Sequence, residues 1–210
     1  MGYMIGVDVG GTFTDFSVFD LDTGRLINYK DSSTPEDPSR AIVKGVQDIL
    51  AQEKADADQV SYLAHGTTVG TNALIEKKGA KLGLITTEGF KDTMEIGNQK
   101  RPSLYDLQAQ KPVSLIPSGC NMGVKERILY NGGIDTPLDE EDARRVIRFL
   151  KHKGVQAIAV CTLFSFINPA HERRIKELIE EEFPEAYTTI SSDLATEFRE
   201  YSRMSTTVLN

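Results

Sequence analysis

Residues 8–15 read DVGGTFTD, and this stretch places two carboxylates, two glycines and two hydroxyls around one tight turn. A short apolar run precedes it at residues 3–7, and partly alternating apolar residues follow it from Phe16 to Phe19. Runs of this kind are typical of β-strands. The pattern therefore predicts a β-hairpin whose tip is the glycine pair.

The predicted tip has the composition of a phosphate-binding loop. Gly10 and Gly11 lack a Cβ and can take positive φ values, so their N–H groups are expected to approach an anion closely. Thr12 and Thr14 add hydroxyl donors. Asp8, at the end of the first strand, is suited to hold a hydrated Mg²⁺, which prefers one or two carboxylates together with waters and phosphate oxygens.

The alternative is an ordinary Gly-Gly hairpin turn with polar neighbours. Such a turn needs two small residues, but it does not also need aspartates and threonines at fixed places around them. Neither a P-loop nor a GxGxxG dinucleotide fingerprint occurs in the sequence. The pattern favours a phosphate site of another kind.

Composition limits the class of protein. The 210 residues are 40% hydrophobic, which is enough for a core, and 24 basic against 31 acidic residues give a net charge of −7. An acidic chain without a basic block disfavours nucleic acid as a partner. Cys120 and Cys161 show neither zinc nor disulfide-framework spacing. The N-terminus does not read as a secretory leader, and the longest apolar segment is too short to span a bilayer, so we expect a cytoplasmic protein with no membrane partner.

The periodicity of the sequence predicts an α/β unit over residues 1–87. After the hairpin we expect a third strand at residues 25–30 and a helix capped by Asp37 that begins at Pro38. Further elements are expected as a strand at 60–64, a helix at 68–77 and a strand at 81–86. The apolar face of the capped helix is expected to comprise Ile42, Val43, Val46, Ile49 and Leu50.

Two further regions are predicted. Residues 88–137 are rich in proline and glycine, and they read as a loop-rich excursion with short extended runs. Residues 138–210 predict a helix ended by Gly154 and then a βαβ unit with strands near 155–163 and 187–190. We expect both to pack on the first unit as one N-terminal domain with a mixed sheet and flanking helices.

A second motif, AHGTTVGTNAL, occupies residues 64–74, where a predicted strand ends and a helix begins. Ligands of open α/β sheets bind at that position. Thr67 or Thr68 is a candidate helix cap, and a helix N-terminus attracts anions. The alternative, equally compatible with the residues alone, is a capped helix with His65 hydrogen-bonded locally.

Two later motifs carry charge. Residues 97–106 read GNQKRPSLYD, where Lys100 and Arg101 are candidates to meet phosphate or a substrate oxyanion, although the residues taken alone somewhat favour a solvated loop. Residues 197–203 read EFREYSR, and alternating charges at this spacing indicate an exposed helical face.

The four motifs, taken in order, resemble the N-terminal region of the hydantoinase A and 5-oxoprolinase family, and the likeness extends over essentially the whole chain. That family also holds N-methylhydantoinases, caprolactamase-type enzymes and subunits of acetone and acetophenone carboxylases. It belongs to the superfamily of actin, sugar kinases and heat-shock chaperone ATPases. The resemblance therefore implies a ribonuclease-H-like α/β sheet and ATP, with Mg²⁺, bound between two such domains.

Roles are implied only where motifs match. Asp8 matches the Mg²⁺-associated aspartate, which makes it a candidate catalytic residue and metal ligand. Catalysis is also implied for His65. The match implies contact with the cofactor for Gly10, Gly11 and Thr12 of the first turn and for Gly66, Thr67 and Thr68 of a turn that faces the active-site cleft. Thr14 is a further candidate contact on its hydroxyl alone.

The implied reaction is ATP-dependent activation of a cyclic amide carbonyl, by phosphoryl transfer to its oxygen, before water opens the ring. Ketone carboxylation is the alternative within the family. A nucleotide-sensing domain or a sugar-type or acetate-type kinase is the alternative outside it. Relatives carry a second phosphate motif and an adenosine region that are absent here, so we expect an N-terminal part of a longer chain. Its partners would be the remainder of that chain and a hydantoinase-B-like subunit.

Overall fold

The computed structural model describes residues 2–34, 36–76, 79–100, 102–106, 108–111 and 113–210. The chain divides into two compact units, Met1–Gly79 and Ala80–Asn210. Within the described residues, no helix is both long enough and apolar enough to cross a membrane.

The first unit is a mixed four-stranded sheet with strand order β3-β2-β1-β4. β1 pairs antiparallel with β2, β2 pairs antiparallel with β3, and β4 runs parallel to β1. The predicted hairpin and the third strand are confirmed. The elements are β1 Tyr3–Val9, β2 Phe13–Asp20, β3 Leu26–Ser32, α1 Pro38–Glu53, β4 Val60–Thr67 and α2 Val69–Ile75.

One face of this sheet forms the core of the unit. Every second residue of β1 is buried, as alternation of side chains across a strand requires, and α1 packs against the same face. Asp37 caps α1 by accepting a hydrogen bond from Ser39 N, as predicted. Val43 was expected on the apolar face of α1 but is 55% exposed, whereas Ala41 and Gly45 of that helix are buried.

The second unit is built on a four-stranded parallel sheet with strand order β10-β9-β5-β6. A two-stranded antiparallel ladder, β7-β8, accompanies it. The elements are β5 Leu82–Thr87, α3 Thr93–Ile96, β6 Asn121–Val124, β7 Arg127–Ile128, β8 Ile134–Thr136, α4 Glu140–His152, β9 Ala157–Cys161, α5 Ala170–Glu182, β10 Tyr187–Ile190, α6 Ser191–Leu194 and α7 Glu200–Leu209.

The helix and βαβ unit predicted over residues 138–190 are present. The predicted apolar face of α4 is completely buried, and Gly154 follows the helix with φ +69°. That left-handed backbone is one that glycine adopts without a steric penalty. The face consists of Ala143, Val146, Ile147 and Leu150.

The predicted boundary at residue 87 is wrong. The strand expected to end the first unit is present as β5, but it pairs with β9 and β6 in the sheet of the second unit. The first unit therefore ends at Gly79. β6 lies within the stretch 88–137, which we expected to be rich in loops, and it is a strand of the same sheet. The predicted α/β class with mixed strand directions is confirmed.

Candidate functional site

The loop between β1 and β2 is shaped by a close approach of its own backbone. Gly10 N donates to Phe13 O at 3.0 Å, and a Cβ on Gly10 would lie 2.9 Å from that same oxygen. Any larger residue at position 10 would therefore clash with the backbone. Neither Gly10 nor Gly11 has a positive φ, so our expectation of positive φ was wrong, and close packing is the reason for glycine at position 10.

The loop leaves donors free on its outer side. The N–H groups of Gly11 and Thr12 donate to no group among the described residues, and the exposed Thr12 hydroxyl likewise has no partner there. Unpaired N–H groups in a turn are what binds an anion. The loop thus presents two N–H donors and one hydroxyl to a ligand, whereas the Gly10 N–H is used within the turn.

Asp8 lies next to this loop on the outer face of the sheet. Its neighbour across the hairpin is Asp15, which forms an ion pair with Lys30 at 2.9 Å. Asp8 itself is exposed and has no hydrogen bond or ion pair with a described residue. An unneutralised carboxylate beside free N–H donors fits a hydrated Mg²⁺ that also contacts phosphate. No group of three or more metal-ligating side chains occurs within the described ranges, so water and ligand oxygens would complete the coordination.

Thr14 needs revision as a predicted cofactor contact, whereas the predicted contact of Thr68 stays a prediction. Thr14 is fully buried, and its hydroxyl lies 2.9 Å from Ser33 Oγ, so it holds the loop from behind and cannot reach a ligand. Thr68 occupies the N-cap position of α2, but its side chain makes no capping hydrogen bond.

The second motif lies beside the loop between β1 and β2. Gly66 and Thr67 are the β4 neighbours of Asp8 and Val9, and Thr68 N donates to Val9 O at 3.2 Å. The end of β4 therefore adjoins the end of β1, as the sequence predicted.

His65 does not join Asp8. The β4 neighbour of His65 is Val7, which is buried on the face that α1 covers. Because alternate residues of a strand point to opposite faces, His65 lies on one face of the sheet and Asp8 on the other. Its catalytic role stays a prediction that this register disfavours.

Two residues that the sequence did not single out support the loop. Ser33 is hydrogen-bonded to Gly10 and Thr12 of the loop and to Thr14 at the start of β2. Asn72 of α2 approaches from the other side, since its Nδ2 would lie 3.3 Å from a Cβ on Gly11. A lone serine after a strand and a lone asparagine in a helix give no signal in one sequence.

The third motif lies in the second unit. Lys100 lines a cavity of about 1150 Å³ beside α3. Arg101, predicted together with Lys100 as a substrate contact, lies outside the described residues.

The fourth motif is an exposed helical face only in part. Residues 197–199 are exposed but precede α7, and within the helix Ser202 is exposed whereas Arg203 is buried. Arg203 of α7 is 1% exposed, and its guanidinium donates to Thr162 O at 2.6 Å and to Glu197 O at 3.3 Å. It also contacts Cys161 Sγ at 3.4 Å, and burial raises the pKa of that thiol to about 11. Arg203 therefore links α7 to the end of β9 through buried hydrogen bonds.

The fold and the site together define an α/β protein with a candidate glycine-rich anion loop between its first two strands. The chain belongs to the hydantoinase/oxoprolinase family, since the model of the hydantoinase/oxoprolinase N-terminal region matches residues 4–183.

Similar proteins share this region at moderate identity. The chain is 38% identical to the protein MJ0964 of Methanocaldococcus jannaschii, covering 100% of this chain and 31% of that protein. It is 37% identical to the acetophenone carboxylase gamma subunit of Aromatoleum aromaticum, covering 98% and 30%, and 36% identical to the caprolactamase subunit alpha of Pseudomonas jessenii, covering 99% and 31%. The chain thus spans about a third of the length of each of these three relatives.

Two solved structures share its fold. One is the nucleotide-free structure of acetone carboxylase, with a TM-score of 0.91, 27% identity and coverage of 99% of this chain and 32% of the other. The other is the ATP-dependent caprolactamase of Pseudomonas jessenii, with a TM-score of 0.85, 34% identity and coverage of 99% and 31%.

Proposed function

We propose that this chain supplies a Mg·ATP-binding part of an enzyme that hydrolyses cyclic amides. The observation that carries the proposal is the loop between β1 and β2. Within the described part of the chain, the N–H groups of Gly11 and Thr12 and the neighbouring carboxylate of Asp8 have no partner. The strand order β3-β2-β1-β4 is consistent with a ribonuclease-H-like unit.

The residues of the loop fit the groups they would hold. The N–H groups of Gly11 and Thr12 and the hydroxyl of Thr12 would contact phosphate oxygens. Asp8 would contact Mg²⁺ through its carboxylate. When bound, Mg·ATP supplies an activating phosphoryl group for an unreactive carbonyl. The chain's own contribution is to position the phosphates and to balance their charge, which dominates catalysis of this type.

The relatives support an ATP-dependent reaction on a small molecule. One similar structure is an ATP-dependent caprolactamase, and the matched family is named for hydantoinase and oxoprolinase. Two relatives are named as subunits, which supports a partner subunit of hydantoinase-B type.

Ketone carboxylation is the second candidate, favoured by the similarity to acetophenone carboxylase and by the higher TM-score with acetone carboxylase. ATP consumption by the whole protein with its partner subunit separates the two. Stimulation by caprolactam or hydantoin supports hydrolysis, and stimulation by a ketone with bicarbonate supports carboxylation. A phosphorylated product without either reaction would point to a kinase of the same superfamily.

Nucleotide binding is tested on the chain itself by following the ³¹P resonances of ATP with and without Mg²⁺. We expect binding of about millimolar strength, because a few hydrogen bonds supply only about 4 kcal/mol. Asp8→Asn should abolish the dependence on Mg²⁺, and Thr12→Val should weaken binding.

Asp58→Asn is the matched control, since Asp58 is an exposed aspartate in the short 3₁₀ turn Ala57–Gln59 before β4, at the opposite end of the sheet from Asp8. Mg²⁺-dependent binding of equal strength in Asp8→Asn and wild type would overturn the assignment.

A further inference from the structure

A large cavity in the second unit lies outside the proposed nucleotide loop. It has a volume of about 1150 Å³ and is lined by α3, the loop after it and residues 113–119. The ring of Tyr201, from α7, closes one side and lies 3.7 Å from where a Cβ on Gly97 would be. Its size is ample for a small molecule.

The cavity presents unpaired charges of both signs. Lys91 and Lys100 line it, and neither ammonium group has an ion-pair partner in the part of the chain that the structure describes. The carboxylates of Asp92 and Glu95 also line it without such a partner. The third lysine, Lys111, donates to Glu95 O at 2.9 Å, so its charge is already directed at the backbone of α3.

Apolar surface lies among these charges. Met94 and Leu115 are among the lining residues and are partly buried, and Ile116, which also lines the cavity, belongs to the hydrophobic core behind it. A ligand with two oppositely charged ends and an apolar body would satisfy all three features. Charge-assisted hydrogen bonds are stronger than neutral ones, so both charged ends would contribute to affinity.

Hydrolysis of a lactam makes a molecule of this kind. Water adds its hydroxyl to the carbonyl carbon and its hydrogen to the nitrogen as the C–N bond breaks. At neutral pH the new carboxylic acid transfers its proton to the new amine. The product is a carboxylate and an ammonium joined by methylenes.

We propose that this cavity binds a zwitterionic amino acid of the class produced by lactam opening. Lys91 and Lys100 meet its carboxylate, and Asp92 and Glu95 meet its ammonium. The choice of product rests on the proposed function, whereas the charges and the apolar wall are features of the cavity alone.

Binding is measured on the whole 210-residue chain by ¹⁵N-resolved NMR titration with four probes. They are 6-aminohexanoate, hexanoate, hexylamine and caprolactam, which remove one charge or both while keeping a six-carbon skeleton. We expect 6-aminohexanoate to bind about tenfold or more tightly than each of the others, the ratio expected from one charge-assisted hydrogen bond. Equal or tighter binding of any of the other three, or no binding of 6-aminohexanoate, would overturn the proposal.

Paired variants identify the residues. Lys91→Met with Lys100→Met should reduce the affinity for 6-aminohexanoate to that for hexylamine, and Asp92→Asn with Glu95→Gln should reduce it to that for hexanoate. The matched control is Lys125→Met with Lys153→Met, two exposed lysines of the same unit that do not line the cavity. Circular dichroism and melting temperature establish that each variant is folded, and unchanged affinity in both folded cavity variants would refute the assignment.

The proposal for the cavity and the proposal for the nucleotide loop can be refuted independently. If 6-aminohexanoate binds while Mg·ATP does not, the proposed function fails and the amino-acid site stands. If Mg·ATP binds with the expected dependence on Asp8 while 6-aminohexanoate does not, the cavity inference fails alone.

Discussion

Ser33 Oγ donates a hydrogen bond to Gly10 O at 2.7 Å, and it thereby joins the residue after β3 to the glycine that begins the anion loop. Because its single proton is used there, the contact of 2.9 Å with Thr14 Oγ1 has Thr14 as the donor. Ser33 N also donates to Thr12 O at 3.0 Å. Ser33 thus contacts Gly10 and Thr12 of the loop and Thr14 of β2. The N–H groups of Gly11 and Thr12 keep no partner among the described residues.

Replacing Ser33 is expected to loosen the loop. Ser33→Ala leaves the Thr14 hydroxyl buried without an acceptor, which costs about 1–3 kcal/mol in the free energy of unfolding. Mg·ATP binding should weaken as well, because the free donors lose their fixed direction. Ser33→Thr keeps the hydroxyl and should restore binding.

Urea unfolding and ³¹P titration of the same samples check this prediction. Ser61→Ala is the control, since Ser61 is an exposed β4 residue whose hydroxyl donates to Tyr3 O at 3.1 Å, at the opposite end of the sheet from the loop. Full nucleotide affinity in a destabilised Ser33→Ala chain would make Ser33 a residue of stability alone.

Replacing His65, unlike replacing Asp8, is expected to leave Mg·ATP binding unchanged. Since the two residues lie on opposite faces of the sheet, His65→Gln should leave Mg·ATP affinity within about twofold of wild type. In the whole enzyme, a histidine that donates to a developing oxyanion would contribute about a hundredfold or more to turnover. A local structural histidine would instead change stability by about 1 kcal/mol.

Turnover and melting temperature of His65→Gln, measured together, separate these roles. Turnover per folded molecule that stays at the wild-type level would remove His65 from catalysis. A loss of about a hundredfold at an unchanged melting temperature would restore the role that the motif implies.

Local patterns in the sequence predicted local structure well. Alternation around residues 3–7 and the turn at Gly10 gave the hairpin, because a strand that is half buried shows its period directly. The buried face of α4 followed in the same way from residues spaced along one side of a helix. Both the hairpin and the helix face depend on residues that are close to one another in the sequence.

Features that depend on distant partners were missed. β5 reads as a buried strand, but nothing within residues 82–87 specifies that its neighbours are β9 and β6. Ser33 supports the loop only because β3 returns beside it. Arg203 has the spacing of a solvated face, and its burial depends on Thr162 O, a backbone acceptor 41 residues away.

The buried guanidinium of Arg203 yields a stability prediction. Arg203→Met keeps much of the volume of the side chain but leaves the carbonyl oxygens of Thr162 and Glu197 without this donor. We expect a loss of about 1–3 kcal/mol for the buried acceptor of Thr162, whereas water can replace the donor at the exposed Glu197. Urea unfolding measures it, with Arg173→Met, an exposed arginine of α5, as the control. An unchanged unfolding midpoint would show that the hydrophobic replacement compensates fully, as it does for some buried ion pairs.

The lowered pKa of Glu182, at the end of α5, should make the stability of the second unit depend on pH. Hydrogen bonds from Arg148 at 2.7 and 2.8 Å, and from Arg144 at 2.8 Å, lower the pKa of Glu182 to about 2. A carboxyl whose pKa is lower in the folded state stabilises that state above its unfolded pKa, near 4.5. This contribution is lost as the pH falls from about 5 towards 2.

Urea unfolding of wild type and Glu182→Gln at intervals between pH 7 and pH 2 checks this dependence. The two should differ most at pH 7 and converge near pH 2, because protonation of Glu182 then leaves a neutral group in both chains. Added salt should reduce the difference at pH 7, since these side chains reach the surface and exposed charges are screened. Glu180→Gln is the control, as Glu180 is an exposed glutamate of the same helix that forms no ion pair with a described residue. A difference between wild type and Glu182→Gln that stays constant over this pH range would show that the ion pairs between α4 and α5 contribute no pH-dependent stability.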